Sequence, residues 1–360
     1  MNVTDKILIT APSLDERENV SGISTVVRQI IERGNGRHEH FTAGRRDDEK
    51  IGLRWLFGQL ALIPRFWRRV SSQKIGVVHI NTSFNKFAIV RDFGFAMTAK
   101  LAKRKILLHL HGGRFLAEEF QSRWLARLAE KMARIANVVV VLSELEKVII
   151  ENRWQNLKVR VLQNSIAIPA NVDIKRHNDE TEIIFLGRLH ESKGLHEVIT
   201  ACRQLKKAGF AFRFKCFGAG AMKDFFVSEM TEILGEKFYY GGVIAGDEKS
   251  QVLAKADVFV LPSRYGEGLP MAMLEAMAAG CVVVASEMAS IGFVVENGVN
   301  GFLIEPGNVA QLVTALQLII EDKVDLQTLR RNAYATVREK FALDDYVTRL
   351  DKIYDEIAAS

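Results

Sequence analysis

Two carboxylates separated by seven residues stand in Tyr265-Gly266-Glu267-Gly268-Leu269-Pro270-Met-Ala-Met-Leu-Glu275. Gly266 and Gly268 let backbone approach a ligand closely. Pro270 suits the first position of a helix, whose first-turn N–H groups then stay free for an anion. Ala272, Ala276 and Ala279 form a small-residue stripe that seats this helix against a sheet. Between Gly268 and Ser286 the only charged residue is Glu275. A carboxylate in so apolar a helix is costly unless it accepts strong hydrogen bonds. A core arginine could answer it. The vicinal hydroxyls of a ribose, two donors at once, answer it better.

A second constellation is Gly187-Arg188-Leu-His-Glu-Ser-Lys193-Gly194, which leaves a strand and opens a helix over 194–207. A cation at a helix N-terminus opposes the macrodipole, so Lys193 is badly placed unless an anion joins it. Arg188, Lys193 and free helix N–H groups together make a cradle for a diphosphate. Further on, Phe217-Gly-Ala-Gly has the start of a dinucleotide fingerprint. It lacks the third glycine, and Tyr239-Tyr240 follow the next strand where an acid is needed, so a dehydrogenase is a weak reading.

In the first half, Leu108-His109-Leu-His111-Gly112-Gly113 ends a strand. A metal pair lacks a cluster to complete its shell. An esterase oxyanion loop lacks a G-x-S-x-G elbow. The remaining reading is that His111 binds substrate while its neighbouring glycines admit a sugar ring. His79 and His109, within their strands, read as structural. Ser21-Gly22 opens a helix after the first strand, and Gly22 lets a phosphate or sugar approach that helix N-terminus.

These residues need a frame to position them, and 360 residues with 48% hydrophobic and 26% charged are enough for two domains with cores. Disorder is excluded by the same balance. Three scattered cysteines, with no C-x-x-C pair, argue against a disulfide framework or zinc ribbon and for a reducing compartment. The first ten residues lack a signal-peptide pattern and no apolar run reaches membrane-spanning length, so a cytoplasmic chain is expected.

Short apolar strands alternate with helix-length amphipathic segments, the pattern of an α/β fold with doubly wound parallel sheets. Strands are expected at 6–11, 76–81, 105–110, 137–142 and 158–162. They restart at 182–187, 211–217, 237–241, 257–261, 281–285 and 301–304. Segment 165–181 has Pro169, polar residues and no period, and reads as a linker. The domains are therefore 1–170 and 171–342, followed by a terminal helix over 343–360. Sites in such sheets lie at the carboxyl ends of the strands, here in two domains facing a cleft.

Charge is uneven. Residues 1–170 hold 28 Lys and Arg against 16 Asp and Glu, and over 53–105 eleven cations accompany only Asp92. A basic half meets something anionic, and no nucleic-acid-binding motif accompanies the charge. In 53–70, Leu53, Leu56, Phe57, Leu60, Ile63 and Trp67 share one helical face while Arg54, Arg65 and Arg68 gather on another. This suits an anionic bilayer, with Pro64 expected to divide the segment into two shorter helices. An ordinary sheet-covering helix is the competing reading.

The G-R-L-x-x-x-K-G element followed by E-G-L-P-x-x-x-x-E, together with His111-Gly112, Val138–Glu144 and Val161–Ser165, resembles the retaining GT-B glycosyltransferases of glycosyltransferase family 4. The resemblance implies two Rossmann-like domains, the first binding acceptor and the second a nucleotide-sugar donor, with the terminal helix crossing back to the first. It assigns Arg188 and Lys193 to the donor diphosphate, Glu275 to the ribose and Glu267 to the transferred sugar. Gly268, Leu269 and Pro270 line the same pocket, backbone near Val243 meets the base, and His111 lies beside the donor sugar. Many relatives carry a double glycine where this chain has Ser21-Gly22. No D-x-D triplet occurs, so no metal cofactor is expected and the cations must balance the leaving diphosphate. UDP is the commoner donor nucleotide among such relatives. The implied role is transfer to a lipid-linked or other glycan acceptor in bacterial surface-polysaccharide assembly, by an enzyme peripheral on the inner face of the cytoplasmic membrane. A GT-B epimerase, a phosphorylase and a non-catalytic nucleotide-sugar-binding protein are the rivals.

Overall fold

Valine- and isoleucine-rich runs such as Val138–Val141 are buried at every position, as strands covered on both faces must be. The computed structural model describes residues 6–359 except 16, 17, 20, 35, 45–52, 73, 113, 114, 116–119, 121, 170, 171, 175–177 and 289, and only the backbone of 53–57, 59 and 60. It divides into two units, 1–165 with 343–360, and 166–342.

The first unit runs β1 (Lys6–Ala11), α1 (Gly22–Arg33), β2 (His38–Thr42), α2 (Leu53–Val70), β3 (Ile75–Thr82), α3 (Lys86–Leu101), β4 (Lys105–Leu110), α4 (Arg123–Ile135), β5 (Val138–Val141), α5 (Glu144–Arg153) and β6 (Val159–Val161). Its sheet has the order β2-β1-β3-β4-β5-β6, with every pairing parallel. The second unit runs β7 (Thr181–Leu186), α6 (Leu195–Lys207), β8 (Phe212–Phe217), α7 (Lys223–Leu234), β9 (Phe238–Tyr240), α8 (Gly246–Lys255), β10 (Val258–Leu261), α9 (Met271–Ala278), β11 (Val282–Ser286), β12 (Gly301–Ile304), α10 (Val309–Ile320) and α11 (Leu326–Lys340). Its parallel sheet has the order β12-β11-β10-β7-β8-β9. Helix α12 (Leu343–Ala359) packs on β3, β4 and α1.

Three details differ from the sequence reading, and one falls outside the described residues. Strand β2 was not expected: His-Glu-His-Phe-Thr is polar because it is an edge strand bonded only to β1. Pro64 lies inside one continuous helix, since its fixed φ is helical and only one backbone bond is forfeited. The apolar face drawn through Leu53, Leu56, Phe57 and Leu60, and Arg54 opposite, falls outside the described side chains. The boundary lies at 165/166 rather than 170/171, two residues outside the described set. Ile166 pairs with Ala342 and donates to the Phe341 carbonyl at 2.9 Å, so the chain enters and leaves the second unit at adjacent points.

Candidate active site

The two motifs of the second unit meet at the carboxyl edge of its sheet. Beyond β7 the chain makes a 3-10 turn, Glu191–Lys193, ending in Gly194 with φ of 71°. A Cβ on Gly194 would lie 1.9 Å from the Pro262 carbonyl oxygen beyond β10. Only glycine admits both that backbone conformation and that contact. Arg264 N–H donates to the Ser192 carbonyl at 2.8 Å, which stitches the same two loops again. Across the seam, Lys193 Nζ sits 2.5 Å from Glu267 Oε1, and the Ser263 hydroxyl donates to the same oxygen. Their side chains are only 12% and 6% exposed, so the pair is shielded from solvent. An ammonium has three donors, and Glu267 occupies one.

Helix α9 begins at Met271, with Pro270 as its cap residue rather than its first helical one. Neither α9 nor α6 has a side chain capping its N-terminus. Each therefore presents first-turn N–H groups and the positive end of its dipole toward the edge where β7 and β10 finish. Leu269 is buried, Gly268 half-buried, and Gly266 takes φ of 80° with open space beyond.

Glu275, on α9, is answered by Lys249 Nζ at 2.7 Å rather than by a core arginine. Both side chains are about one-sixth exposed, 16% and 15%, and so remain reachable from the surface. Sequence reasoning missed Lys249 because a partner 26 residues away on α8 leaves no periodic signal. Arg188 is exposed, and among the described residues its guanidinium has no carboxylate partner. Val243, just after β9, is 43% exposed. Gly218 and Gly220 serve packing: Cβ atoms there would strike the carbonyls of Gly187 and Leu189 at 1.9 and 2.3 Å.

In the first unit, Gly22 is the exposed first residue of α1, whose N-terminus is capped by Ser21 accepting from Ser24 N–H. His111 follows β4 directly, half-buried, and its Nε2 is 2.6 Å from Asn81 Oδ1. Burial lowers its pKa to about 3, so the ring is neutral at physiological pH. His79 bonds Tyr354 Oη at 2.7 Å and His109 at 3.2 Å, whereas His109 Nε2 is buried without a partner among the described residues. Burial holds both below the usual histidine range. Gly113 lies outside the described residues.

Residues 169–336 match the family model for glycosyl transferases group 1. The chain is 38% identical over 176 residues to the putative colanic acid biosynthesis glycosyltransferase WcaL of Salmonella typhimurium, covering 45% of this chain and 41% of that one. It is 31% identical over 189 residues to the amylovoran biosynthesis glycosyltransferase AmsK of Erwinia amylovora, covering 49% and 45%. The chain thus spans less than half the length of these curated relatives. HepE of Anabaena in complex with UDP and glucose superposes with a TM-score of 0.77 at 20% identity, covering 98% of this chain and all of that one. Sucrose-phosphate synthase of Thermosynechococcus elongatus gives 0.81 at 18% identity, covering 99% and 100%. The chain has the two-sheet GT-B fold, and its second unit carries a glycosyltransferase group 1 domain.

Proposed function

We propose that the chain is a retaining glycosyltransferase that takes a sugar from a nucleoside-diphosphate sugar. The observation that carries this reading is the stitched edge of the second unit. There two lysine-held carboxylates, an arginine with no carboxylate partner among the described residues, and two helix N-termini gather inside the group 1 domain. Arg188, Lys193 and the α6 and α9 N-termini supply positive charge where a leaving diphosphate gains negative charge. Glu275 accepts the ribose hydroxyls and Glu267 those of the transferred sugar, while backbone at Val243 meets the base. His111, neutral, binds a sugar hydroxyl from the first unit. No side chain is assigned as nucleophile; retention follows from front-side attack, a donor phosphate oxygen taking the acceptor proton. A UDP-sugar is favoured by the UDP and glucose bound in HepE. With these cations in place of an ion, no metal is needed.

The acceptor is a lipid-linked or other glycan of surface polysaccharide, in line with the colanic acid and amylovoran names of the relatives. The first unit docks on anionic membrane from the cytoplasmic side. Helix α2 exposes Trp67 beside Arg65 and Arg68. Not all eleven cations are free for this. Arg69 pairs with Glu39, Arg91 with the buried Asp92, and Arg104 bonds the carbonyls of Val70 and Ser72. No helix among the described residues is long and apolar enough to cross a membrane.

The test is a screen of UDP- and GDP-sugars against short glycan and glycolipid acceptors, with the product anomer read by NMR. Transfer with retained configuration supports the proposal. Hydrolysis or epimerisation of donor with no transfer to any acceptor counts against it. For docking, wild type should co-sediment with anionic liposomes, and Arg65→Glu with Arg68→Glu should release it. Equal sedimentation with neutral vesicles contradicts the membrane surface.

A further inference from the structure

Asn81 is the penultimate residue of β3 and is almost fully buried. Its Nδ2 donates to the Thr10 carbonyl of β1 at 2.9 Å. A carbonyl only accepts, which settles the amide orientation and turns Oδ1 toward His111. Oδ1 also only accepts, so the hydrogen at the 2.6 Å contact belongs to His111 Nε2. A neutral imidazole carries one N–H, which leaves Nδ1 as a bare lone pair. Burial keeps the ring neutral. Nδ1 has no partner among the described residues, and the residue is partly exposed. The ring plane is steadied by His109, whose centroid lies 4.0 Å away, and the His111 backbone N–H donates to the Thr82 carbonyl at 2.9 Å.

We propose that Asn81 is a positioning residue that locks His111 in the Nε2–H tautomer, so that Nδ1 accepts a hydrogen bond from a hydroxyl of the bound sugar. The inference rests on the glycosyltransferase reading for its ligand, but its geometry stands alone. Thr10, Asn81 and His111 occupy the carboxyl ends of three adjacent strands, β1, β3 and β4, where a parallel sheet places its ligands. His111 then reads the sugar as an acceptor and contributes no positive charge.

The experiment uses the full chain labelled with ¹⁵N-histidine, with long-range proton–nitrogen spectra and His111 assigned by its loss in His111→Gln. The expected wild-type spectrum shows protonated Nε2 and bare Nδ1 at His111. Asn81→Ala should give a mixture of tautomers and lower turnover roughly ten- to hundredfold, as a loosened contact does, while UDP affinity stays at the wild-type value. Asn81→Asp, whose carboxylate likewise only accepts, should keep the Nε2–H tautomer. A wild-type His111 protonated at Nδ1, or an Asn81→Ala protein with unchanged tautomer and turnover, overturns the proposal. Should Asn81→Ala fail to fold, the wild-type and Asn81→Asp spectra decide. Wild type that turns over no nucleotide sugar defeats the glycosyltransferase reading instead, and leaves the tautomer measurement to judge Asn81.

Discussion

At the level of single residues, the proposed function divides the work between the two carboxylates of the second unit. Glu275→Gln is expected to weaken UDP binding more than Glu267→Gln does, because the proposed function gives Glu275 the ribose and Glu267 the sugar. Parallel calorimetric titrations with UDP and a UDP-sugar check it, and equal effects on free UDP contradict the assignment. Lys193→Ala should cost stability as well as affinity, since it leaves Glu267 shielded from solvent without its cation. Arg188, Lys193, Glu267 and Glu275 stand out in the sequence because each sits in a glycine-marked motif. Their counterparts do not. Lys249 and Ser263 meet Glu275 and Glu267 only through the fold, from 26 and 4 residues away, as Asn81 meets His111 from 30.

Elements show the same division between local pattern and tertiary consequence. Alternating runs placed eleven of the twelve strands within a residue or so, because a strand buried on both faces reads as continuous Val, Ile and Leu. Strand β2 escaped, being a polar edge, and it carries His38, whose pKa burial lowers to about 4. The sign follows from the direction. The unfolded chain takes up a proton below pH 6.5 that the folded one refuses until about 4, so His38 removes stability as pH falls. At pH 5 the loss is about 2 kcal/mol. His38→Gln, uncharged at every pH, should therefore gain about that much relative to wild type between pH 7 and pH 5 in denaturant melts. A constant difference would contradict the neutral buried ring. At the other sheet, Gly194→Ala should destabilise and abolish donor binding together, because its Cβ would overlap the Pro262 carbonyl and open the seam. Wild-type melting and UDP affinity in that variant would contradict a role for the seam.

Across the whole molecule, the charge asymmetry was readable by counting, but its use was not. Ion pairs and carbonyl contacts spend several of the basic half's cations on the fold. The carboxyl edge of the second unit is proposed to bind a nucleoside diphosphate through side-chain cations and helix N-termini, without a metal ion. Transfer should accordingly persist in EDTA, and loss restored by Mg²⁺ would contradict it. The most direct measurement is calorimetric titration of UDP in EDTA into wild type and Arg188→Ala. Arg188 is exposed and has no carboxylate partner among the described residues, so its removal breaks no ion pair among them. UDP is expected to bind wild type, and the variant to lose about 1.5–3 kcal/mol, roughly ten- to hundredfold. Equal affinity in the two proteins, or no binding of UDP to either, would contradict the diphosphate cradle.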